Sequence, residues 1–138
     1  MAETSLKIDG SCHCGKIRYE ADIELEKVGV CHCTDCQTLS GSAFVAFVQV
    51  QKENFRLRGE PRIYVKTAES GNRRAQAFCP DCGTRIYASA EKDPPVFNLR
   101  LGTVRQRTEL RPKVQLWCRS ALPWVHDLGA VRQLPKGQ

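Results

Sequence analysis

Seven of the eight cysteines in this chain fall into three tight clusters, CHC at 12–14, CHCTDC at 31–36 and CPDC at 79–82, and Cys118 stands alone. Thiols spaced so closely converge either on disulfides or on a metal, and either choice ties distant parts of the chain to one point. The opening residues MAETSLKIDG carry neither a basic n-region nor an apolar h-region, and no apolar run approaches the roughly 18 residues of a membrane span. The expected location is therefore cytoplasmic, with no membrane partner. In that reducing compartment structural disulfides are rare, and metal binding is the expected use of the clustered thiols.

At 138 residues and 15.5 kDa the chain has room for one domain, expected at residues 6–128, followed by a loose tail over 129–138. An apolar content of 41% sets it apart from a disordered chain. The formal charge of +6 overstates the positive field. Seven clustered thiolates outweigh two divalent ions by three charges, leaving about +3. Such a surface suits an anionic small molecule. Nucleic acid is not expected, because the chain shows no run of five or six basic residues, no RNP-like aromatic pattern and no helix suited to a major groove.

The alternation in KIRYEADIE places Ile17, Tyr19, Ala21 and Ile23 on one face and Lys16, Arg18, Glu20 and Asp22 on the other, as in a half-buried strand. Further short strands are expected at 43–50, 55–58, 62–67, 74–78, 84–89, 96–101 and 114–118, separated by the turn signals RGEP, ESGN, CPDCG and KDPP. TDCQTLSG can make a helical turn, and so can the stretch from Pro123 to Leu128. The expected class is mainly β with little helix.

Cys79 and Cys82 flank a Pro-Asp turn and precede Gly83, the arrangement of a zinc knuckle at a hairpin tip, where turn amides point at the sulfurs. A redox CxxC ordinarily opens a helix, whereas GTRIYAS reads as a strand. Cys12 and Cys14 face the same side of an extended segment and can share one ion if the backbone bends at Gly15. The simplest closed site joins Cys12, Cys14, Cys79 and Cys82. Such a four-thiolate site is structural in character and contributes on the order of 10 kcal/mol to folding through metal binding.

Cys31, Cys33 and Cys36 remain, and three protein ligands with one open position is the pattern of a catalytic zinc. His32 lies between two ligands and in an extended segment points away from their shared ion. Closure of the site by Cys118 is the alternative, although Cys118, in the strand-like VQLWCRS, is more in keeping with a small buried apolar residue. Zinc is preferred to iron on ligand softness and geometry, with two Zn2+ per chain.

Taken together, GSCHCGKIRYE, CHCTDCQTLSGSAF, FCPDCGTRIY and PKVQLWCRSALPW resemble the glutathione-dependent formaldehyde-activating enzymes, which share a domain with centromere protein V. The resemblance spans residues 10 to about 125. It implies a β-tent fold, a structural zinc on Cys12, Cys14, Cys79 and Cys82, and a catalytic zinc on Cys31, Cys33 and Cys36. One position departs from the family pattern. Where many members have a histidine after the late proline, this chain has Gln115, which hydrogen-bonds but cannot carry a proton near neutral pH.

The implied reaction joins glutathione and formaldehyde into S-(hydroxymethyl)glutathione, a carbon–sulfur lyase reaction run in reverse. A thiol of pKa near 8.5 is only about 3% ionised at pH 7, so full deprotonation gains roughly thirtyfold, or about 2 kcal/mol. Part of that gain is lost because nucleophilicity falls with basicity, with a slope of about 0.4 to 0.5. Proximity and a hydrogen bond to the developing alkoxide must add to it. Gln37, Ser40 and Ser42 are candidate donors. Arg100, Arg105, Arg107, Arg111, Lys113 and Arg119 are candidates for steering the carboxylates of glutathione, although each also suits a solvated strand face. Trp117 and Trp124 are expected in the core, with a wall over the metal as the alternative, His13 is expected to be exposed beside the knuckle, and His126 to cap or pack near the tail. The rival reading is a non-catalytic, zinc-stabilised binding module for an acidic partner or nucleic acid.

Overall fold

The computed structural model describes residues 4–137. Ten strands and one helix follow in the order β1 (Ser5–Ser11), β2 (Arg18–Glu24), β3 (Val28–Cys31), α1 (Thr34–Ser40), β4 (Val45–Gln51), β5 (Phe55–Arg58), β6 (Arg62–Thr67), β7 (Arg73–Phe78), β8 (Arg85–Ala90), β9 (Val96–Arg100) and β10 (Val114–Leu116). The mainly β expectation holds. Strands β1, β2 and β5 form an antiparallel three-stranded sheet, and the other seven form a sheet in the order β10-β3-β4-β9-β8-β7-β6. Its one parallel pair is β10 on β3, at the edge.

The two sheets bury their apolar faces against each other. Ile17, Tyr19, Ala21 and Ile23 are all buried, as the alternation requires, while Arg18 and Glu20 stay exposed. They join Ile8 and pack with Val28, Val48, Val50 and Leu99 of the larger sheet in one continuous cluster. Burial of each such side chain is worth about 1.5–3 kcal/mol. Phe55, Tyr87 and Phe97 extend this core as an aromatic group with ring centroids 4.8–6.0 Å apart.

Two strands carry too little pattern to stand out in the sequence. SLKIDGS (β1) mixes a glycine and an aspartate into its alternation, and VGVC (β3) is four residues long. Both are held by register with stronger partners: β1 pairs with β2 from Ser5↔Glu24 to Ser11↔Arg18, and β3 lies between β4 and β10. At the other end, β10 stops at Leu116 rather than 118. Trp117 turns into the left-handed region at φ 57°, and Cys118–Ser120 forms a 3-10 turn. Residues 122–127 make hydrogen-bonded turns and no α-helix; a 3-10 turn follows at Leu128–Ala130.

Gly29 lets β10 approach. A Cβ there would lie 2.7 Å from Val114 Cγ1 and 3.0 Å from the Val114 carbonyl oxygen. Backbone bonds then close the edge, from His32 N–H to Leu116 O at 2.9 Å and from Lys113 N–H to Val28 O at 2.8 Å. Gly29→Ala is expected to pry β10 from β3 at a cost of about 1–3 kcal/mol. Urea unfolding and faster hydrogen exchange at the His32 and Lys113 amides check it; unchanged exchange there would contradict the close-packing argument.

Candidate metal centres

The segment after β1 and the β7–β8 turn form two look-alike knuckles. In the first, Gly15 N–H donates to Cys12 O at 3.1 Å and Ile17 N–H donates to Cys12 Sγ at 3.2 Å. In the second, Gly83 N–H donates to Cys79 O at 2.9 Å. Gly15 at φ +84° and Gly83 at φ +78° supply the left-handed bends that let each turn close. The knuckles meet where His13 N–H donates to Thr84 Oγ1 at 3.1 Å and where Lys16 pairs with Asp81 at 3.1 Å.

The four sulfurs of Cys12, Cys14, Cys79 and Cys82 lie within 4.8 Å of one another. The Cys12–Cys14 and Cys14–Cys79 separations are 3.6 and 3.7 Å. A tetrahedron with metal–sulfur bonds of about 2.3 Å has edges of about 3.8 Å, so this donor set fits a thiophilic ion such as zinc. Cys12 and Cys79 are buried, whereas Cys14 is exposed.

The second cluster sits at the junction of β3 and α1. Cys31 ends β3, Cys33 caps α1 by accepting the Cys36 amide at 3.2 Å, and Cys36 lies in the first helical turn. Gly41 ends the helix in the left-handed region. These three sulfurs also lie within 4.8 Å of one another and can hold a metal. Crowding makes them unequal as free thiols. The hydrogen bond from Cys36 holds Cys31 down to about 5, and that same contact, with burial, pushes Cys36 up. Three thiolates at this spacing call for a cation.

Among the described residues no fourth protein donor joins this group. Cys118, expected to be buried, is exposed, and its Sγ lies 3.5 Å from Gln115 O. The 3-10 turn after Trp117 carries it out of strand register and onto the surface. His32 points away as the extended geometry requires. It is 1% exposed, and its Nε2–H donates to Gln115 Oε1 at 2.9 Å. Gln115 thus anchors this buried ring, beside Phe44 and His126 at centroid distances of 5.5 and 6.1 Å. His13 is exposed beside its knuckle.

The outer face of the seven-stranded sheet forms the floor of a cavity of about 740 Å³ onto which Cys31, Cys33 and Cys36 open. Register explains its lining. Phe47 pairs with Arg100, Gln49 with Asn98, Asn98 with Ala88, and Ala88 with Gln76, so these side chains share one face. Arg74 lies two residues from Gln76 on that face, opposite Lys66. Burial lowers the pKa of Arg100, and the nearby Cys36 and Cys31 oppose that shift.

Trp117 and Trp124 are not in the core; they are 45% and 50% exposed. The left-handed bend at Trp117 places its ring at the cavity rim under the Arg119 guanidinium, 4.9 Å from the centroid. Of the six basic residues between 100 and 119, only Arg100 and Arg119 line this cavity. Arg105 and Arg107 line a separate cavity of about 660 Å³, where Arg105 pairs with Asp9 at 3.1 Å. Lys113 lies near His32, and Arg111 is exposed. Gln37, Ser40 and Ser42 do not line this larger cavity, although Ser40 lines a smaller one of about 260 Å³ that shares Cys36 with it. Gln37 Nε2 is committed to the carbonyls of His32 and Ser120 at 2.8 and 3.0 Å. On the sheet floor of the larger cavity Arg74, Gln76 and Asn98 are polar lining residues that went unrecognised in the sequence; their signal was a polar residue at every second position of β7 and β9.

Fold and sites together define a small β protein with two clustered-thiolate centres, one of them opening onto a cavity. The family profile described as glutathione-dependent formaldehyde-activating enzyme matches residues 7–120, and the chain belongs to this family. It is 33% identical over 79 residues to a Schizosaccharomyces pombe protein named as an uncharacterized lyase. That match covers 57% of this chain and 55% of the relative, so the chain spans about half the length of the curated relative it matches. A Rhodobacter sphaeroides protein of known crystal structure shares the fold, with a TM-score of 0.55 at 17% identity over 70% of this chain and 87% of that one.

Substituting one sulfur in each cluster separates their roles. Cys79→Ser is expected to unfold the domain, because that ion would tie β1 to the β7–β8 hairpin, whereas Cys33→Ser is expected to lose one metal equivalent and stay folded. Metal analysis with circular dichroism decides; equal destabilisation by both would remove the distinction.

Proposed function

We propose that this protein is a zinc-dependent carbon–sulfur lyase that joins a glutathione-like thiol to formaldehyde or a related small electrophile in a reducing, cytoplasmic compartment. In this reading Cys12, Cys14, Cys79 and Cys82 hold a structural zinc, and Cys31, Cys33 and Cys36 hold a catalytic one. The observation that carries it is the three-sulfur cluster facing a cavity of about 740 Å³ with no fourth protein donor in the group among the described residues. That volume falls in the range of about 300–1,000 Å³ usual for small-molecule sites.

Zinc at this cluster would supply a Lewis-acid position able to keep a substrate sulfur ionised at neutral pH. The remaining work falls to the chain. Arg119, at the rim, attracts the carboxylates of an anionic thiol and sets its approach. Asn98 Oδ1 accepts from Gln49 Nε2 at 3.3 Å, which orients the Asn98 amide group. Gln76 Oε1 accepts from Arg100 Nη2 at 3.3 Å in the same way. The two amide NH2 groups then remain to donate toward an oxygen that gains charge as the carbon–sulfur bond forms. Removal of one such donor ordinarily costs about 10²–10³ in rate. Trp117 screens the rim from water.

X-ray absorption on the zinc-loaded protein tests this directly. Glutathione is expected to raise the mean sulfur count per zinc from about 3.5 to about 4, as one extra sulfur joins the three-cysteine centre. A count that stays the same at saturating glutathione would rule out sulfur docking there.

A further inference from the structure

The wall behind Cys36 carries more positive charge than the cysteine cluster can neutralise. A second, smaller cavity of about 260 Å³ adjoins the first and shares Cys36, Gln76 and Arg100 with it, while Arg85 lines the small one alone. Arg85 lies over the Phe78 ring at 5.3 Å, and its Nη1 is buried without a hydrogen-bond partner. The side-chain hydrogen bond of Arg100 goes to the neutral Gln76. Arg74 and Arg85 each lie near enough to Arg100 to repel it, and none of the three takes part in an ion pair among the described residues.

Charge counting shows what is missing. Three guanidiniums face three thiolates that, around a divalent ion, carry a net single negative charge. A substrate thiolate cancels one more positive charge, and with the carboxylates of the thiol held at Arg119 on the rim, one guanidinium of the inner wall is still without a counter-charge. The buried Nη1 of Arg85 has no acceptor within the protein, and an anion seated beside it would supply one together with the missing counter-charge. Formaldehyde cannot provide it. It is neutral, has one carbon, and offers a guanidinium no bidentate partner. A carboxylate matches the guanidinium fork.

We propose that Arg85 and Arg100 form a carboxylate receptor in the smaller cavity, so that the electrophile of this protein is a short aldehyde acid carrying its carboxylate beside the reactive carbonyl. The assignment rests on the proposed function and names the substrate class of that same site. The larger cavity admits the thiol, and the shared Cys36 wall is where the two substrates meet. In the reaction the thiol S–H adds across the C=O bond. A carbon–sulfur bond forms, the carbonyl π bond breaks, and the thiol proton ends on the new hydroxyl. No oxidant or reductant is consumed, and the carboxylate is unchanged.

Glyoxylate and glycolaldehyde, two-carbon aldehydes that differ in charge, test this on the zinc-loaded full chain. Glyoxylate alone is expected to shift the side-chain N–H signals of Arg85 and Arg100 in NMR titrations, a readout independent of turnover. In glutathione addition, kcat/KM is expected to favour glyoxylate by about tenfold or more over glycolaldehyde, after correction for the uncatalysed rates. Arg85→Gln is expected to collapse that ratio, and Arg85→Lys to keep part of it, with metal content confirming that both variants fold. A ratio unmoved by Arg85→Gln, or glyoxylate without effect on the arginine signals, overturns the proposal. So does an Arg85→Gln loss that tracks glutathione against its diethyl ester, since the receptor would then serve the thiol. Glyoxylate binding through Arg85 without turnover of either aldehyde would support the receptor and defeat the catalytic reading instead.

Discussion

Four sulfurs converge within 4.8 Å where the end of β1 meets the β7–β8 hairpin, and an ion bound there would tie the two sheets at that point. The small sheet has only three strands, and its hydrogen bonds outside the knuckles run to the segment after β9 rather than to the large sheet itself: Gly10 bridges Val104, Asp9 meets Arg105 and Gln106, and Tyr19 Oη pairs with Thr103 Oγ1. The core cluster supplies non-directional attraction between the sheets. The thiolate cluster adds direction. With an ion bound it would set which end of β1 faces which turn, and so fix how Ile8, Tyr19 and Ile23 meet Val48 and Leu99 in the core.

With the inner face of the large sheet spent on the core, its outer face is free for polar chemistry. The period of two along each strand sends Val48, Val50 and Leu99 inward and Phe47, Gln49, Asn98 and Arg100 outward. Cys31 lies on the outward face at the end of β3, and α1 brings Cys33 and Cys36 back over it. A three-sulfur cluster on a sheet end and a helix start is held by hydrogen-bonded backbone, which limits how far its sulfurs can drift. Guanidiniums on the same face then sit in a partly dehydrated wall, where an anion binds more strongly than at an open surface.

Much of this was legible before any coordinates. The strands at 55–58 and 62–67 match at both ends, because alternation and turn residues act locally. The knuckle at Cys79–Gly83 follows from its own turn chemistry. The short strands β1 and β3 were not legible, since their pairing energy comes from β2, β4 and β10 rather than from their own residues. Trp117, Trp124 and Cys118 were misplaced for a related reason. Apolar neighbours suggested a core strand, but a left-handed bend at one residue turned the segment outward. Gln115 looked like a lost histidine; the fold gives it a buried imidazole to hold.

By itself the sequence determined the β class, the buried face of β2, the family and the grouping of seven cysteines as four and three, because each rests on spacing within a few residues or on an ordered set of motifs. Tertiary structure alone decided which polar side chains reach the three-cysteine cluster. Arg74, Arg85 and Arg100 belong to three different strands, and what brings them to one wall is strand order and register, a property of pairing across the sheet that no local stretch of sequence encodes.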